Sequence, residues 1–287
     1  MIANSVKKAF HWLNPDREKY DGKQVKDNDL RAARQPFTLI YEDENIVALN
    51  KSSGIAVSPD RWDVSIERLD VIAAKSLNVK KLYTVHRLDR DASGLVIFAK
   101  TSDTAKTLSV AFEDQQIKKR YIAAVHGRPS WTETTCDLGL VPNGNKQHHT
   151  IVDKYRGKKS FTSFSFVGSS GNYSILEAFP ETSRTHQIRV HLASMGHPVV
   201  CDEFYGKSKP IKLSSFKRGW RGDPVEERPL ISRLGLHAVE LFIPGYGEAE
   251  SGLSLTAPLP RDMAALIKQM EKAAGKDFTF TEILKTV

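Results

Sequence analysis

The densest run of ionisable residues is His86-Arg87-Leu88-Asp89-Arg90-Asp91-Ala92-Ser93-Gly94. It lies between two apolar runs, Leu82–Val85 and Leu95–Ala99. A loop placed between two strands is held firmly and stays accessible. Asp89 is flanked by Arg87 and Arg90. Neighbouring positive charge keeps a carboxylate ionised, fit to act as nucleophile or base. A salt-bridged turn would show the same residues. A kinase catalytic loop would read His-Arg-Asp without the intervening Leu88, and neither a Gly-rich phosphate loop nor Asp-Phe-Gly accompanies it.

A second cluster is Thr182-Ser183-Arg184-Thr185-His186-Gln187-Ile188-Arg189-Val190-His191. On a helix, Ile188 and Leu192 would face a core, while Arg184, Gln187 and His191 would share another side. Arg189 would lie near Thr185 and His186. Two arginines and two histidines there can position phosphates or hold a carboxylate. An exposed amphipathic helix is the plainer alternative. His186 and His191 stand five apart, without the glutamate and the closer spacing of a zincin, so no metal is expected. Gln147-His148-His149 sits in a Gly/Asn-rich loop and is an equally poor metal candidate.

These clusters need elements to hold them. Phe37–Tyr41 and Ile46–Asn50 read as strands around the turn Glu42-Asp43-Glu44-Asn45. Leu82–Val85, Leu95–Ala99, Tyr121–Val125, Tyr173–Ala178, His237–Ile243 and Leu253–Thr256 are further strands. Ser102 or Asp103 would cap a helix with the stripe Ala105, Leu108, Ala111 and Phe112. Ser183 would cap a helix over Thr185–Ser194, closed by Gly196 with Pro198 beyond. Pro260 would start a last helix with Met263, Leu266, Ile267 and Met270 on one face. Grouped strands with helices between them predict an α+β fold with a mixed, largely antiparallel central sheet flanked by helices. Residues 1–35 read as a polar extension with a short helix near Val6–Leu13, and residues 36–287 as a single domain.

Composition bounds the rest. The chain has 287 residues, 42 Lys+Arg and 34 Asp+Glu, for a formal charge of +8. With 40% hydrophobic and 26% charged residues it has the balance of a globular protein, not of a disordered one. Its two cysteines, Cys136 and Cys201, lie far apart with no CxxC or Cys/His knot. That disfavours a disulfide framework or structural zinc and favours a reducing compartment, the cytoplasm. No signal-peptide core and no apolar run of about 18 residues is present, so no membrane partner is expected. Gly206–Arg221 carries Lys207, Lys209, Lys212, Lys217, Arg218 and Arg221 with no acid, interleaved with Phe216 and Trp220. Lys118-Lys119-Arg120 and Lys154/Arg156/Lys158/Lys159 are two more basic clusters. Each alone suits a solvated surface; three together point to a phosphate backbone.

Three ordered segments carry a resemblance. NIVALNKSSGIAVSPD, VHRLDRDASGLVIFAK and ETSRTHQIRVHLASMGHPVVCDEFYG are similar to the signature segments of the RluA-type RNA pseudouridine synthases. LGLHAVELFIP and LSLTAPLP resemble the closing strands, so the likeness runs from Phe37 to Met270. Ala92 stands where that family usually has Thr, and Ser183 where it usually has Gly. No RNA-binding module of the S4 type is evident before Phe37.

The resemblance implies isomerisation of uridine to pseudouridine in rRNA or tRNA, without metal, redox cofactor or ATP; a monomer is the expected state, which the sequence leaves open. It places the catalytic carboxylate at Asp89, its pairing arginine at Arg189 and a pocket tyrosine at Tyr121. Asp89 would attack the sugar or deprotonate C2′, and the sequence leaves both routes open. Arg87 would fill the stack vacated by a flipped base. Arg90, Arg184, Lys118, Lys119, Lys217 and Arg218 would contact RNA. Two rivals are a silent RNA-binding protein of the same fold and a glycoside hydrolase using Asp89 and Asp91.

Overall fold

The computed structural model describes residues 35–59, 67–217, 219–246 and 252–274. The helix expected near Val6–Leu13, nearly all of the 1–35 extension, and Arg218 lie outside the described residues. The strands are β1 (Phe37–Glu42), β2 (Ile46–Lys51), β3 (Tyr83–Thr84), β4 (Ser93–Ala99), β5 (Lys118–His126), β6 (Glu133–Cys136) and β7 (Leu140–Val141). They continue as β8 (Ile151–Val152), β9 (Thr162–Ser170), β10 (Tyr173–Pro180), β11 (Ile211–Lys212), β12 (Pro229–Ile231), β13 (Leu236–Ile243) and β14 (Leu253–Thr256). The helices are α1 (Leu69–Ser76), α2 (Ser102–Glu113), α3 (Gln187–Ser194) and α4 (Arg261–Ala274). The pairs β1–β2, β2–β4, β3–β4, β5–β10, β9–β10, β6–β9, β7–β8, β11–β12 and β13–β14 are antiparallel, in keeping with the expected mixed, largely antiparallel sheet. Among the described residues no helix is long and apolar enough to cross a membrane.

The chain divides into two units. One comprises residues 35–119 and 238–258 among those described. Its strands run β1-β2-β4-β13, with β3 on β4 and β14 on β13. All seven residues of β4 are buried, which is why Ser93–Ala99 lacks the polar alternation of a one-sided strand. Ile97, Leu108, Phe112, Ile117, Leu241 and Leu255 pack into its core. In the turn between β1 and β2, Asp43 Oδ1 accepts the N–H groups of Asn45 and Ile46 at 2.8 and 2.7 Å. The carboxylate makes the turn that the sequence suggests there. Gly94 has φ +113, and a Cβ there would lie 2.2 Å from the Ala238 carbonyl oxygen. Glycine is thus fixed by both backbone shape and the approach of β13.

The other unit comprises residues 120–237 and 259–274 among those described, with strand order β5-β10-β9-β6. Met263, Leu266, Ile267 and Met270 of α4 are all buried, as their helical spacing predicts. Arg233 grips the first turn of α4 through a two-pronged pair with Asp262, at 2.6 and 2.7 Å. Gly196, at φ +82, ends α3; its N–H reaches Ala193 O and that of His197 reaches Leu192 O. This double closure is the Schellman arrangement expected from Gly196.

Several expectations need correction. The cap of α2 is Thr101, whose side chain accepts the Thr104 N–H, and not Ser102 or Asp103. Helix α3 begins at Gln187, not Thr185, because His186 adopts a left-handed φ of 55° that interrupts the helix. Ser183 does not cap it. Nor is α3 an exposed amphipathic helix, for Gln187 through Leu192 are all buried. Strands β6 and β9 and helix α1 were not evident in the sequence. The Thr/Ser/Gly-rich β9 hides as a loop in composition but pairs with β10 throughout its length.

Candidate active site

The aspartate loop follows β3 and leads into β4. Leu88 is buried and anchors it, while Arg87 and Arg90 are exposed and Asp89 is half-buried between them. This in-and-out alternation puts a carboxylate at the edge of solvent with a cation on either side. The Ala92 N–H donates to the Asp89 carbonyl at 3.2 Å, turning the chain back toward β4.

A lysine that sequence reasoning left among the quoted motif residues holds this loop. Lys51, at the end of β2, is 1% exposed. Its ammonium donates to the carbonyls of Ser52, Ile55 and Arg90 at 2.9, 2.9 and 2.8 Å. A buried ammonium is tolerable only with its donors satisfied, and here three carbonyls satisfy them. One belongs to the residue after Asp89. The same Arg90 carbonyl accepts the Gly54 N–H at 2.8 Å, Arg90 Nε donates to Gly54 O, and Ser53 Oγ donates to Asp91 O. The 52–55 loop therefore braces the two residues that follow Asp89. A signal existed: a lysine ending a strand that opens with four buried apolar residues must find acceptors.

His86, which opens the loop, is structural. Its Nε2 accepts the Ile97 N–H at 2.9 Å and its ring stacks on Phe112. Burial, with the nearby Lys119 charge, pushes its pKa down to about 3, so it stays neutral.

In the other unit, Arg189 on α3 forms a buried fork with Asp202: Nε to Oδ2 and Nη2 to Oδ1, both 2.8 Å. Burial would raise the Asp202 pKa, but the Arg189 fork and the Phe204 and Tyr205 N–H groups outweigh it and hold the carboxyl below its usual range. The Phe204 and Tyr205 rings each lie 5.2 Å from the guanidinium carbon. Tyr205 Oη in turn lies 2.8 Å from His186 Nδ1 and accepts the Thr150 N–H at 2.9 Å. Asp202 had escaped notice; it stands directly after the apolar Pro198–Cys201 run, where a buried carboxylate demands a cation.

Gln187 positions the start of α3. Its Oε1 accepts from Thr182 Oγ1 and the Arg184 N–H, and its Nε2 donates to Phe161 O and Thr162 Oγ1. His191 is fully buried between Ser160 and Thr162, and burial lowers its pKa. It is a core histidine, not a surface ligand.

Tyr121 lies half-buried on β5, opposite Ala178 of β10. The basic cluster before it is largely internal. Lys119 is buried near His86, so it offers no surface to a phosphate; Arg120 is buried and pairs with Glu177 at 2.8 Å. β5 draws both inward, and only Lys118 of the three is exposed. Arg184 is exposed and its Nε donates to Lys159 O at 3.1 Å; Lys217 is exposed. Asp89 thus belongs to one unit, and Tyr121 and Arg189 to the other.

The family described as RNA pseudouridylate synthase matches residues 45–194, a span that includes the aspartate loop, β5 and α3. The chain belongs to that family. Among curated relatives, ribosomal large subunit pseudouridine synthase D of Borreliella burgdorferi is 36% identical over 62% of this chain and 57% of its own length. The dual-specificity RNA pseudouridine synthase RluA of Salmonella typhi is 31% identical over 79% of this chain and 94% of its own. The pseudouridine synthase is of the RluA type. A solved structure, human RNA pseudouridylate synthase domain containing 4, shares the fold at a TM-score of 0.61, with 21% identity over 81% of this chain and 92% of that one.

Proposed function

We propose that this pseudouridine synthase converts a specific uridine of rRNA or tRNA to pseudouridine, in the cytoplasm, with residues 36–287 as one catalytic domain. The observation that carries the reading is Asp89 itself: half-exposed, between exposed Arg87 and Arg90, on a loop pinned by the buried Lys51 ammonium. The name of the Borreliella relative, which specifies the large ribosomal subunit, favours rRNA. Two buried free thiols suit a reducing compartment.

In the reaction the N1–C1′ bond breaks, the base turns, and C5 bonds to C1′; the C5 proton leaves and N1 gains one. Atoms balance without an oxidant or a phosphoryl donor. Asp89 attacks C1′ or takes the C2′ proton. Arg189, which forks onto Asp202 through Nε and Nη2, is the arginine that the resemblance pairs with the Asp89 carboxylate. Held from behind by Asp202, the arginine keeps one orientation. Tyr121 stacks on the uracil, and its hydroxyl moves the C5 proton. The uridine must leave its stack, which costs a few kcal/mol, and Arg87 occupies the gap. Arg90, Arg184, Lys118 and Lys217 contact phosphates.

The test is tritium release from RNA labelled at C5 of uridine and drawn from cells lacking this protein. Wild type should release tritium. Asp89→Asn should fold and bind RNA but release none. Product from Asp89→Asn beyond a trace would remove Asp89 from catalysis.

A further inference from the structure

Between Tyr205 and β12 the chain makes a long excursion outside the central sheet, of which only Lys217, among the described residues, has so far been given a role. It is held down with care. Ile211 and Ile231 pair across β11 and β12 and are each 1% exposed. Ser214 donates through its N–H and Oγ to the Glu227 carboxylate at 2.7 and 2.8 Å. Lys212 Nζ donates to Pro224 O at 2.9 Å. The Phe216 ring lies 5.5 Å from that of Tyr173, which lies 5.5 Å from His126. The excursion is therefore a docked strap, with an aromatic row beneath it.

Most of the charges that the strap shows to solvent are cationic. Lys207, Lys209, Lys217 and Arg221 are exposed. Among the described residues none of the four is in an ion pair. Two acids on the return stretch are engaged elsewhere: Glu227 holds Ser214, and Asp223 accepts the Val225 N–H. Only Glu226 is a further acid there. A solvated surface usually mixes signs; here like charges are gathered on a braced scaffold, at the expense of mutual repulsion. At the foot of the strap, His126 Nε2 is buried with no partner among the described residues. Burial, and then the Lys207 charge, keep that imidazole neutral.

We propose that Lys207, Lys209, Lys217 and Arg221, seated on Phe216, Tyr173 and His126, form a preorganised surface for the phosphate backbone of substrate RNA. This rests on the reading of the chain as an RNA-modifying enzyme and gives the strap a role in substrate affinity. Interleaved cations and aromatic faces suit a polynucleotide, which offers both phosphates and bases.

The experiment compares two triple variants of the full chain. One is Lys207→Gln/Lys209→Gln/Lys217→Gln. The control, with the same charge change on exposed lysines elsewhere, is Lys75→Gln/Lys80→Gln/Lys268→Gln. Binding of the C5-tritiated RNA is measured between roughly 50 and 200 mM salt, where each lost phosphate contact lowers the log–log slope by about 0.7 to 0.9. The strap variant should lose about two units of slope, bind at least about tenfold more weakly at low salt and show a matching rise in KM for tritium release. The control should match wild type. A wild-type slope in the strap variant, or equal losses in both triples, overturns the proposal. If wild type binds with the steeper slope yet releases no tritium, the catalytic reading fails and the binding surface stands.

Discussion

A single neutral imidazole shows how residue chemistry reaches into stability. His86 accepts the Ile97 N–H through Nε2, so protonation there would destroy the bond. Its pKa falls from 6.5 to about 3 on folding, through burial first and the Lys119 charge second. Between those values the unfolded chain binds a proton that the folded chain refuses. Its contribution is thus present above pH 6.5 and is lost as the pH falls toward 3. His126 and His191, also lowered by burial, act in the same sense. Urea midpoints at neutral pH and near pH 5 should differ more for wild type than for His86→Gln, whose Oε1 can still accept from Ile97. Equal acid sensitivity in the two proteins would exclude His86 as a source.

Elements matter here through how they end. β2 ends in Lys51, and that ammonium fixes the 52–55 loop against the aspartate loop. In Lys51→Met the carbonyls of Ser52, Ile55 and Arg90 lose their shared donor, at about 1–3 kcal/mol for each left unsatisfied. The Gly54 amide, bonded to Arg90 O, should then exchange with solvent much faster, and tritium release should fall although Asp89 is intact. Unchanged Gly54 protection would show that the loop stands without Lys51. Likewise α3 starts where Gln187 can meet four partners at once, rather than where serine suggested a cap. Sequence periodicity found α4 readily because its apolar stripe is self-contained. It missed β9, since Thr162, Ser163 and Ser170 are buried polar residues of a kind found more often in loops.

For the molecule as a whole, both thiols are interior. Cys136 and Cys201 are buried, and burial pushes the Cys201 pKa up to about 11. Neither is a thiolate at neutral pH, so neither should react with a thiol reagent such as Ellman's in the native protein. Both should titrate once denaturant is added. Fast labelling of one thiol before unfolding would contradict the packing around it. The same burial makes each a small apolar core residue.

The aspartate loop was legible because its information is local. Asp89 with flanking arginines lies between two apolar strands, and all of that can be read within a few residues. The ordered motifs also disclosed the family, since spacing along a chain survives in its sequence. The supports of those residues were hidden. Lys51 serves a carbonyl thirty-nine residues away, Arg189 locks to Asp202, and Gln187 bonds back to β9. Burial was hidden too: Lys119 and Arg120 read as a phosphate-seeking cluster but turn inward on β5. A sequence states which groups carry charge. Only the tertiary fold decides which of them meet water and which must find a partner, because desolvation depends on neighbours distant along the chain.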